Sequence, residues 1–286
     1  MKRLNPGAAL RALVLLTVCP ATGTGQMFPE EPPYVPTEME LVEAMLRLGD
    51  VGRDDLLFDL GSGDGRIVLE AARRYGTRGI GYEHQEPLVA LSRARADSLG
   101  VSSLTRFVAD DLFEADLSGA TVVMVYLGAA FNLRLRPILL SRLAPGTRVV
   151  SNTFHMGDWS PDSTVHLGHG PERATLHRWV IPARVDGFWT LAIEGDRTGF
   201  AIELDQRFQV ARGRARAGNR SFPIEAARLD GERITFRADL PGSGGPLRFD
   251  GRVRGGRMEG TVTDGRGETR RWIALRFTHP ALAPRG

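Results

Sequence analysis

The sequence predicts an α/β fold followed by a smaller, antiparallel all-β domain. Short apolar runs alternate with helical patterns over residues 56–181, which is typical of a parallel sheet with helices on both faces. After Pro182 the apolar runs lie between tight glycine turns, which predicts a meander of hairpins that forms a small barrel or a sandwich. The 286 residues are 42% hydrophobic and 25% charged, which leaves room for one large and one small domain.

The first 25 residues have the pattern of a signal peptide or an N-terminal anchor. Lys2, Arg3 and Arg11 precede an apolar core at residues 12–19, which is too short to span a bilayer. Cleavage near residues 21–25 would remove Cys19, the single cysteine, so we predict no disulfide framework and no thiolate chemistry. We therefore expect an exported or membrane-anchored bacterial protein on the periplasmic side, or a cytoplasmic one if the start site is misassigned.

The predicted α/β domain covers residues 27–184. A proline-rich segment opens it, and Thr37 is predicted to cap a helix that Gly49 ends. Residues 163–167 and 176–181 would pair as the antiparallel edge of the sheet. The other predicted strands cover residues 56–60, 78–83, 104–109, 121–126 and 147–151, and the predicted helices cover residues 66–75, 86–99 and 131–143.

The predicted β domain covers residues 185–280, with a tail at 281–286. Its arginines are expected on the outer, solvated face of the strands, and a net charge of +3 is weak evidence for an acidic partner. No nucleic-acid partner is therefore expected. The predicted strands cover residues 188–193, 198–204, 206–214, 224–228, 233–238, 247–253, 257–262 and 269–275.

The strongest functional signal is the turn after the first strand, where Gly61, Gly63 and Gly65 alternate with other residues. Turning from a strand into a helix within four residues needs backbone conformations that a Cβ disfavours, and missing side chains let a ligand lie against the chain. Dinucleotide folds space these glycines as G-x-G-x-x-G, so that the helix receives a pyrophosphate. Here the pattern from Asp59 is D-x-G-x-G-x-G, which favours S-adenosylmethionine, a cofactor without phosphate, over NAD.

Carboxylates follow the next two strands. Glu83 ends the second strand, where a carboxylate can accept both ribose hydroxyls of a nucleoside. Asp110 and Asp111 end the third strand, where an acid can accept the adenine amino group. We favour Asp111 because the apolar pair of residues 112–113 follows it directly. Since ligands of open α/β sheets lie beyond the carboxyl ends of the strands, these acids are predicted to share one edge.

Three stretches carry a family resemblance: PYVPT at residues 33–37 with the following helix, DLGSGDGRIVLEAA at 59–72, and GYE at 81–83. The glycine signature resembles that of the class I S-adenosylmethionine-dependent methyltransferases. Within them, the stretches resemble the ATP synthase c-subunit lysine methyltransferase family and its bacterial relatives, over about residues 33–182. The resemblance implies a Rossmann-like seven-stranded sheet and N-methylation of protein lysine by in-line methyl transfer.

The resemblance also implies which residues contact the cofactor. Tyr34 and Thr37 would lie over it from the N-terminal segment. The predicted contacts in the sheet edge and its turns are Asp59, Gly61, Ser62, Gly63, Gly65, Glu83 and Asp111.

Tyr126, Asn132 and His155 are the catalytic candidates. A substrate lysine must lose its proton before it attacks, and desolvation among aromatic rings lowers its pKa. Tyr126 and Phe154, with Tyr34, could line such a channel, and each could equally be a packing residue. Asn132 either presents a polar group to the substrate or caps the helix that follows the fourth strand. His155 is a candidate general base or substrate contact.

Other interpretations remain open. No metal is predicted, because His155, His166, His169 and His177 have no cysteine or convincingly spaced acid nearby. The acceptor could be a small molecule or lipid instead of a protein, with an apolar ligand inside a hollow barrel. The chain could also be a non-catalytic cofactor-binding module with the β domain as an interaction unit. A membrane partner is expected only through the N-terminal segment, and a nicotinamide oxidoreductase is disfavoured by the glycine spacing.

Overall fold

The computed structural model describes residues 34–168 and 174–277. The predicted signal peptide or anchor, His169 and the predicted tail lie outside the described residues. The elements of the α/β part are α1 (Met39–Leu48), β1 (Leu56–Leu60), α2 (Arg66–Tyr75), β2 (Arg78–Glu83), α3 (Glu86–Ser98), β3 (Thr105–Ala109), β4 (Val122–Val125), α4 (Ala129–Arg142), β5 (Arg148–Asn152), β6 (Ser163–Leu167) and β7 (Ala174–Val180). Every predicted element of this part is confirmed, with small shifts at the ends.

The seven strands form one sheet in the order β3-β2-β1-β4-β5-β7-β6. β1 lies in parallel between β2 and β4, whereas β7 runs antiparallel to both β5 and β6, which confirms the predicted edge. Alternate residues of β1 face two cores, so that Leu57 packs with α1, α2 and α3 while Phe58 packs with α4. The carboxyl ends of β1, β2 and β4 therefore lie at one edge, where the turns that follow them can meet.

The predicted helix cap at Thr37 is wrong, and of the two roles left open for Asn132 the helix cap is excluded. α1 begins after Glu38 without a side-chain cap, because the buried Thr37 is held by its carbonyl, which accepts a hydrogen bond from Arg66 Nη1 at 2.6 Å. α4 begins after Gly128, so Asn132 lies inside the first turns of the helix. Its side chain is drawn away from the helix end by tertiary hydrogen bonds, described below.

The C-terminal strands close into an eight-stranded antiparallel barrel, not a sandwich. Each strand pairs with its neighbours along the chain, and the pairing of β15 with β8 closes the ring, so none of the described barrel strands leaves an open edge. The strands are β8 (Gly187–Ile193), β9 (Phe200–Arg207), β10 (Val210–Ala217), β11 (Arg220–Asp230), β12 (Arg233–Ala238), β13 (Leu247–Arg254), β14 (Arg257–Thr263) and β15 (Thr269–Phe277).

Strand boundaries in the barrel differ from the prediction at two places. The predicted break at Asp205 is wrong, because β9 continues to Arg207 and the reversal falls at Phe208 and Gln209. β11 is longer than predicted, because residues 220–223 also pair with β10, and the strand contains an irregularity at Ala226, where φ is +50°. The predicted outward position of the arginines is confirmed along the strands.

Aromatic side chains fill the barrel interior. The rings of Phe236 and Phe249 stack with centroids 4.3 Å apart, and Trp272 meets both edge-on at 5.6 Å. An eight-stranded barrel is just wide enough for side chains to fill it. The described interior is thus a packed core, and the hollow, apolar barrel expected for a lipid-binding role is not what the structure has.

Candidate active site

Three glycines shape the turn between β1 and α2. Gly61 and Gly63 have φ values of +81° and +55°, in the left-handed region that a Cβ disfavours. A Cβ on Gly61 would lie 2.4 Å from Leu127 Cδ2, and one on Gly63 would lie 2.6 Å from Tyr34 Cε2. Gly65 precedes α2 as its N-cap. The turn is a cradle that side chains would obstruct, which fits its predicted role against a cofactor.

The backbone of Ser62 stabilises this turn through hydrogen bonds. Its N–H donates to the Tyr82 carbonyl at 2.9 Å, and its carbonyl accepts the N–H of Gly65 at 2.9 Å. Its Oγ is buried without a partner in the described part of the chain, and a Cβ on Gly81 would lie 2.6 Å from it. The geometry therefore gives Ser62 a structural place beneath β2, and its contact with a cofactor stays a prediction.

Glu83 is held directly under the glycine turn. Its Oε2 accepts the N–H of Gly63 at 2.9 Å, and its Oε1 accepts the N–H of Gln85 at 3.0 Å and lies 3.2 Å from His84 Nδ1. The residue is 7% exposed. Each carboxylate oxygen offers two acceptor sites, so the backbone fixes this side chain while leaving capacity for the two ribose hydroxyls.

Asp59 is a buried carboxyl group beside the glycine turn. It is 3% exposed at the end of β1. Burial raises the pKa of its carboxyl to about 8, and the nearby Glu83 and Asp64 carboxylates act in the same direction. Among the described residues no group donates a hydrogen bond to it. A positively charged group would relieve this arrangement, and the α-ammonium of S-adenosylmethionine is such a group.

Asp64 ties the turn to the neighbouring helices. It accepts hydrogen bonds from Arg66 at 2.8 and 2.7 Å and forms an ion pair with Arg95 on α3. Burial acts to raise the pKa of Asp64, but the hydrogen bonds from the two guanidinium groups outweigh it and lower the pKa to about 2. Sequence reasoning missed this carboxylate. Its place inside the glycine turn, two residues before an arginine, was the available signal.

The N-terminal segment lies over the glycine turn, and its predicted position over the cofactor stays a prediction. The Tyr34 ring covers Gly63, and Arg66 joins the turn to the Thr37 carbonyl at 2.6 Å. Tyr34 is 43% exposed, whereas Thr37 is buried. Asp64 and Arg66 therefore position the segment that is predicted to cover the cofactor.

Replacing Asp64 by asparagine is expected to lower stability at pH 7 by about 1–2 kcal/mol. The figure is smaller than the full shift from 3.8 to about 2 implies, because Arg95 is 44% exposed and solvent screens the pair. Since the folded-state pKa lies below the unfolded one, this stability is present above pH 4 and is lost between about pH 4 and pH 2. Urea denaturation across that range measures it, with Asp97→Asn, an exposed carboxylate on α3, as control. Equal midpoints for both variants at pH 7 would contradict the prediction.

Asp110 and Asp111 are exposed beyond the end of β3. Asp110 Oδ1 accepts the N–H of Asp111 at 2.8 Å, and Asp111 Oδ1 accepts the N–H of Phe113 at 2.9 Å. Phe113 stacks on Phe131, with ring centroids 6.1 Å apart, and Arg134 lies over its face at 3.6 Å. The choice of Asp111 for the adenine amino group stays a prediction.

Tyr126 and Asn132 meet the loop between β5 and β6, residues 153–162. Tyr126 stacks on Phe154 of this loop, with ring centroids 6.0 Å apart. Asn132 is buried, and its Nδ2 donates to Ser151 Oγ and to the Phe154 carbonyl, both at 3.0 Å. Its Oδ1 has no partner within the residues that the structure describes. The candidates Tyr126 and Asn132 thus come together, whereas Tyr34 lies over the glycine turn.

His155 is exposed and lies 4.1 Å from the buried His177, measured between ring centroids. Burial lowers the pKa of His177, and the neighbouring His155 lowers it further. His177 Nδ1 lies 3.1 Å from Thr164 Oγ1, and His166 Nδ1 lies 3.1 Å from Thr175 Oγ1. Across residues 34–168 and 174–277, no group of three or more metal-ligating side chains is found. The role of His155 and the expectation that no metal takes part stay predictions.

Comparisons with known proteins agree with this site. A family model described as the ANTKMT methyltransferase domain matches residues 59–163, which end before the barrel. A Saccharolobus islandicus protein named protein-lysine N-methyltransferase is 37% identical over 150 residues, which cover 52% of this chain and 93% of that protein. The ATP synthase c-subunit lysine N-methyltransferase of Xenopus laevis is 37% identical over 133 residues, which cover 46% of this chain and only 57% of that protein.

A similar solved structure contains a bound cofactor product. It is described as an RNA methyltransferase from Salinibacter ruber in complex with S-adenosyl-L-homocysteine. It is 51% identical, with a TM-score of 0.51, and the match covers 53% of this chain and 96% of that one. These similarities set aside the oxidoreductase and the non-catalytic module. The chain therefore belongs to the class I S-adenosylmethionine-dependent methyltransferases, in the family of the Saccharolobus protein-lysine N-methyltransferase, and it is an enzyme that uses S-adenosylmethionine.

Proposed function

We propose that this enzyme methylates a lysine Nζ of a protein. The observation that carries the proposal is the 37% identity to the Saccharolobus protein-lysine N-methyltransferase over 93% of that protein's length. The residues where the methyl acceptor would bind, here called the acceptor side, support the proposal, because the stacked rings of Tyr126 and Phe154 suit a desolvated amine. The buried Asn132 Oδ1, which has no partner among the described residues, is placed to accept a hydrogen bond from that amine.

The chemistry asks mainly for alignment and a dry site. When bound, S-adenosylmethionine supplies a methyl group on a sulfonium whose leaving group departs neutral, so no acid is needed to assist it. Asp59 would hold the ammonium end and Glu83 the ribose hydroxyls, which orients the methyl group toward the acceptor side. Tyr126 and Phe154 would exclude water, and the amine would reach its uncharged form by desolvation.

RNA is the second candidate acceptor. The solved structure that is 51% identical carries the name RNA methyltransferase. The prediction that no nucleic acid takes part is untested, so an RNA acceptor needs a direct experiment. Small-molecule and lipid acceptors have less support, because the packed barrel interior removes the cavity that would favour them.

A labelling experiment separates these acceptors. We expect tritium from [methyl-³H]-S-adenosylmethionine to enter cell extract in a form that protease releases and RNase does not. Acid hydrolysis of the labelled protein should yield ε-N-methyllysine. Asn132→Ala should reduce the label about tenfold or more. The change removes the oxygen proposed to accept a hydrogen bond from the substrate amine, and it breaks the hydrogen bond that holds the Phe154 carbonyl. Leu91→Ala, a substitution of an exposed residue on α3, serves as control. RNase-sensitive label would overturn the lysine proposal in favour of RNA.

We also propose that the enzyme is exported or anchored through residues 1–25. The basic, apolar and small-residue pattern of this segment supports it. None of the helices in the described ranges combines the length and apolarity needed to cross a bilayer. Mass spectrometry of the protein from its native cells should show a mature N-terminus near residues 21–25 in the exported form. An intact Met1 on a soluble cytoplasmic protein would contradict the proposal.

A further inference from the structure

We propose that the barrel positions the β5–β6 loop for methyl transfer, with Phe208 and Gln209 as the positioning residues. Both residues form the turn between β9 and β10. That the loop contacts the methyl-accepting substrate rests on the proposed function, in which Phe154 and His155 of the loop lie beside that substrate. The positioning itself rests on contacts between the two parts of the chain, which are described next.

Phe208 reaches from the barrel into the core beside the sheet. Its ring stacks on Trp159 of the loop, with centroids 5.7 Å apart and planes inclined by 19°. Trp159 is completely buried, and Phe208 is partly buried in the same cluster. Phe208 has a φ of +55°, a conformation that a bulky residue adopts only where its surroundings hold it. The backbone of the β9–β10 turn is therefore strained at Phe208, the residue that contacts the loop.

Gln209 uses both ends of its buried amide on this contact. Its Oε1 accepts a hydrogen bond from Trp159 Nε1 at 2.8 Å, and its Nε2 donates to Asp162 Oδ2 at 2.7 Å. The same Asp162 oxygen accepts the N–H of Val180 on β7 at 2.8 Å. Gln209 is 5% exposed, so solvent cannot replace these bonds without cost. One barrel side chain thus fixes the far end of the loop to the sheet edge.

Asp158 forms a third set of contacts between the loop and the barrel. Its carboxylate forms ion pairs with Arg136 of α4 and with Arg207 at the end of β9. Arg136 also donates to the Met156 carbonyl at 2.8 Å, and its guanidinium lies 5.6 Å from the centre of the Phe208 ring. These pairs are exposed and contribute little individually, but they join α4, the loop and the barrel at one point.

The loop is consequently held from two sides. α4 holds the carbonyls of Phe154 and Met156, and the barrel holds Trp159 and Asp162. Loss of the barrel contacts should free the segment that carries Phe154 and His155 while leaving the cofactor side intact. The cofactor carboxylates lie on β1 and β2, with which the described residues of the barrel turn form no hydrogen bond or ring contact.

The test uses hydrogen exchange and kinetics on the purified protein. In Gln209→Leu, which keeps the volume but loses every side-chain hydrogen bond of Gln209, we expect amide exchange in residues 153–159 to accelerate about tenfold or more. Exchange around Gly61 and Gly63 should not change. Phe208→Ala should behave alike, and Phe208→Tyr, which keeps the ring, should restore the wild-type rate. Val262→Ala in the barrel core serves as the control that destabilises the barrel without touching the loop.

Kinetic measurements show whether the loss of the loop contacts weakens the binding of the methyl-accepting substrate. Poly-L-lysine and total RNA are the acceptor probes, and KM is measured for whichever one the wild type labels. We expect KM to rise fivefold or more in Gln209→Leu, with the Kd for S-adenosylhomocysteine within twofold of wild type. Unchanged exchange, or equal changes in Val262→Ala, would overturn the positioning role. Faster exchange with an unchanged KM would overturn its link to the acceptor. Label in RNA would refute lysine methylation while the exchange result still decides the positioning.

Discussion

Replacing Glu83 by alanine is expected to weaken the binding of S-adenosylhomocysteine by about 100-fold. The change removes the predicted hydrogen-bond acceptor for both ribose hydroxyls and leaves the Gly63 N–H, which donates to Glu83 at 2.9 Å, without this partner. Hydrogen bonds to a charged group contribute about 1.5–3 kcal/mol each, and a 100-fold loss corresponds to about 2.7 kcal/mol. Titration calorimetry with the purified protein measures the loss.

Two further variants make this result specific. Glu83→Gln keeps one acceptor oxygen and the shape of the side chain, so its affinity should fall between that of wild type and Glu83→Ala. Glu86→Ala removes an exposed carboxylate at the start of α3 and should bind like wild type. Equal affinity of wild type and Glu83→Ala would remove Glu83 from the cofactor site.

The affinity of the wild type for S-adenosylmethionine should rise with pH, by up to about tenfold per unit between pH 6 and pH 8. The carboxyl of Asp59 has a pKa of about 8 in the free protein, because it is buried and lies near Glu83 and Asp64. Only the ionised form can pair with the cofactor ammonium, so binding below pH 8 must displace a proton. Asp59→Asn should bind more weakly at pH 8 and show a nearly flat profile. Calorimetry in two buffers of different ionisation enthalpy also reports the released proton.

Stability of the ligand-free protein provides an independent check on Asp59. Its folded-state pKa of about 8 lies above the ordinary value of 3.8, so the stability linked to this group is present below pH 4 and is lost as pH rises through 8. Asp59→Asn should therefore become more stable relative to wild type as pH rises from 5 to 9. This dependence is opposite in sign to that of Asp64. A constant difference in Tm across the range would show that Asp59 titrates normally.

The sheet and its glycine turn could be predicted because their signals are local. A short apolar run bounded by glycine or proline identifies a strand such as β1 without knowledge of its partners. The spacing of Gly61 and Gly63 reports a backbone conformation that each residue must adopt by itself, with φ of +81° and +55°. The place of Glu83 followed from these, since the ends of neighbouring parallel strands meet at one edge.

The caps and hairpins were harder to predict because their local signals compete with distant partners. Thr37 has the composition of a cap, but its carbonyl is taken by Arg66. Asn132 has the same ambiguity, and Ser151 and Phe154 settle it in favour of a tertiary role. The turn at Phe208 carries no glycine, so the sequence did not reveal that β9 ends there.

The sequence by itself determined the order of elements, the glycine cradle and the carboxylates at the sheet edge, because these depend on periodicity and on backbone conformations set within a few residues. Only the tertiary structure decided that the hairpins close into a barrel, that Asp64 pairs with Arg95, and that Gln209 holds Trp159. The last two contacts join residues 31 and 50 positions apart. Such pairings follow from how the packed layers meet, and no local pattern of residues encodes that geometry.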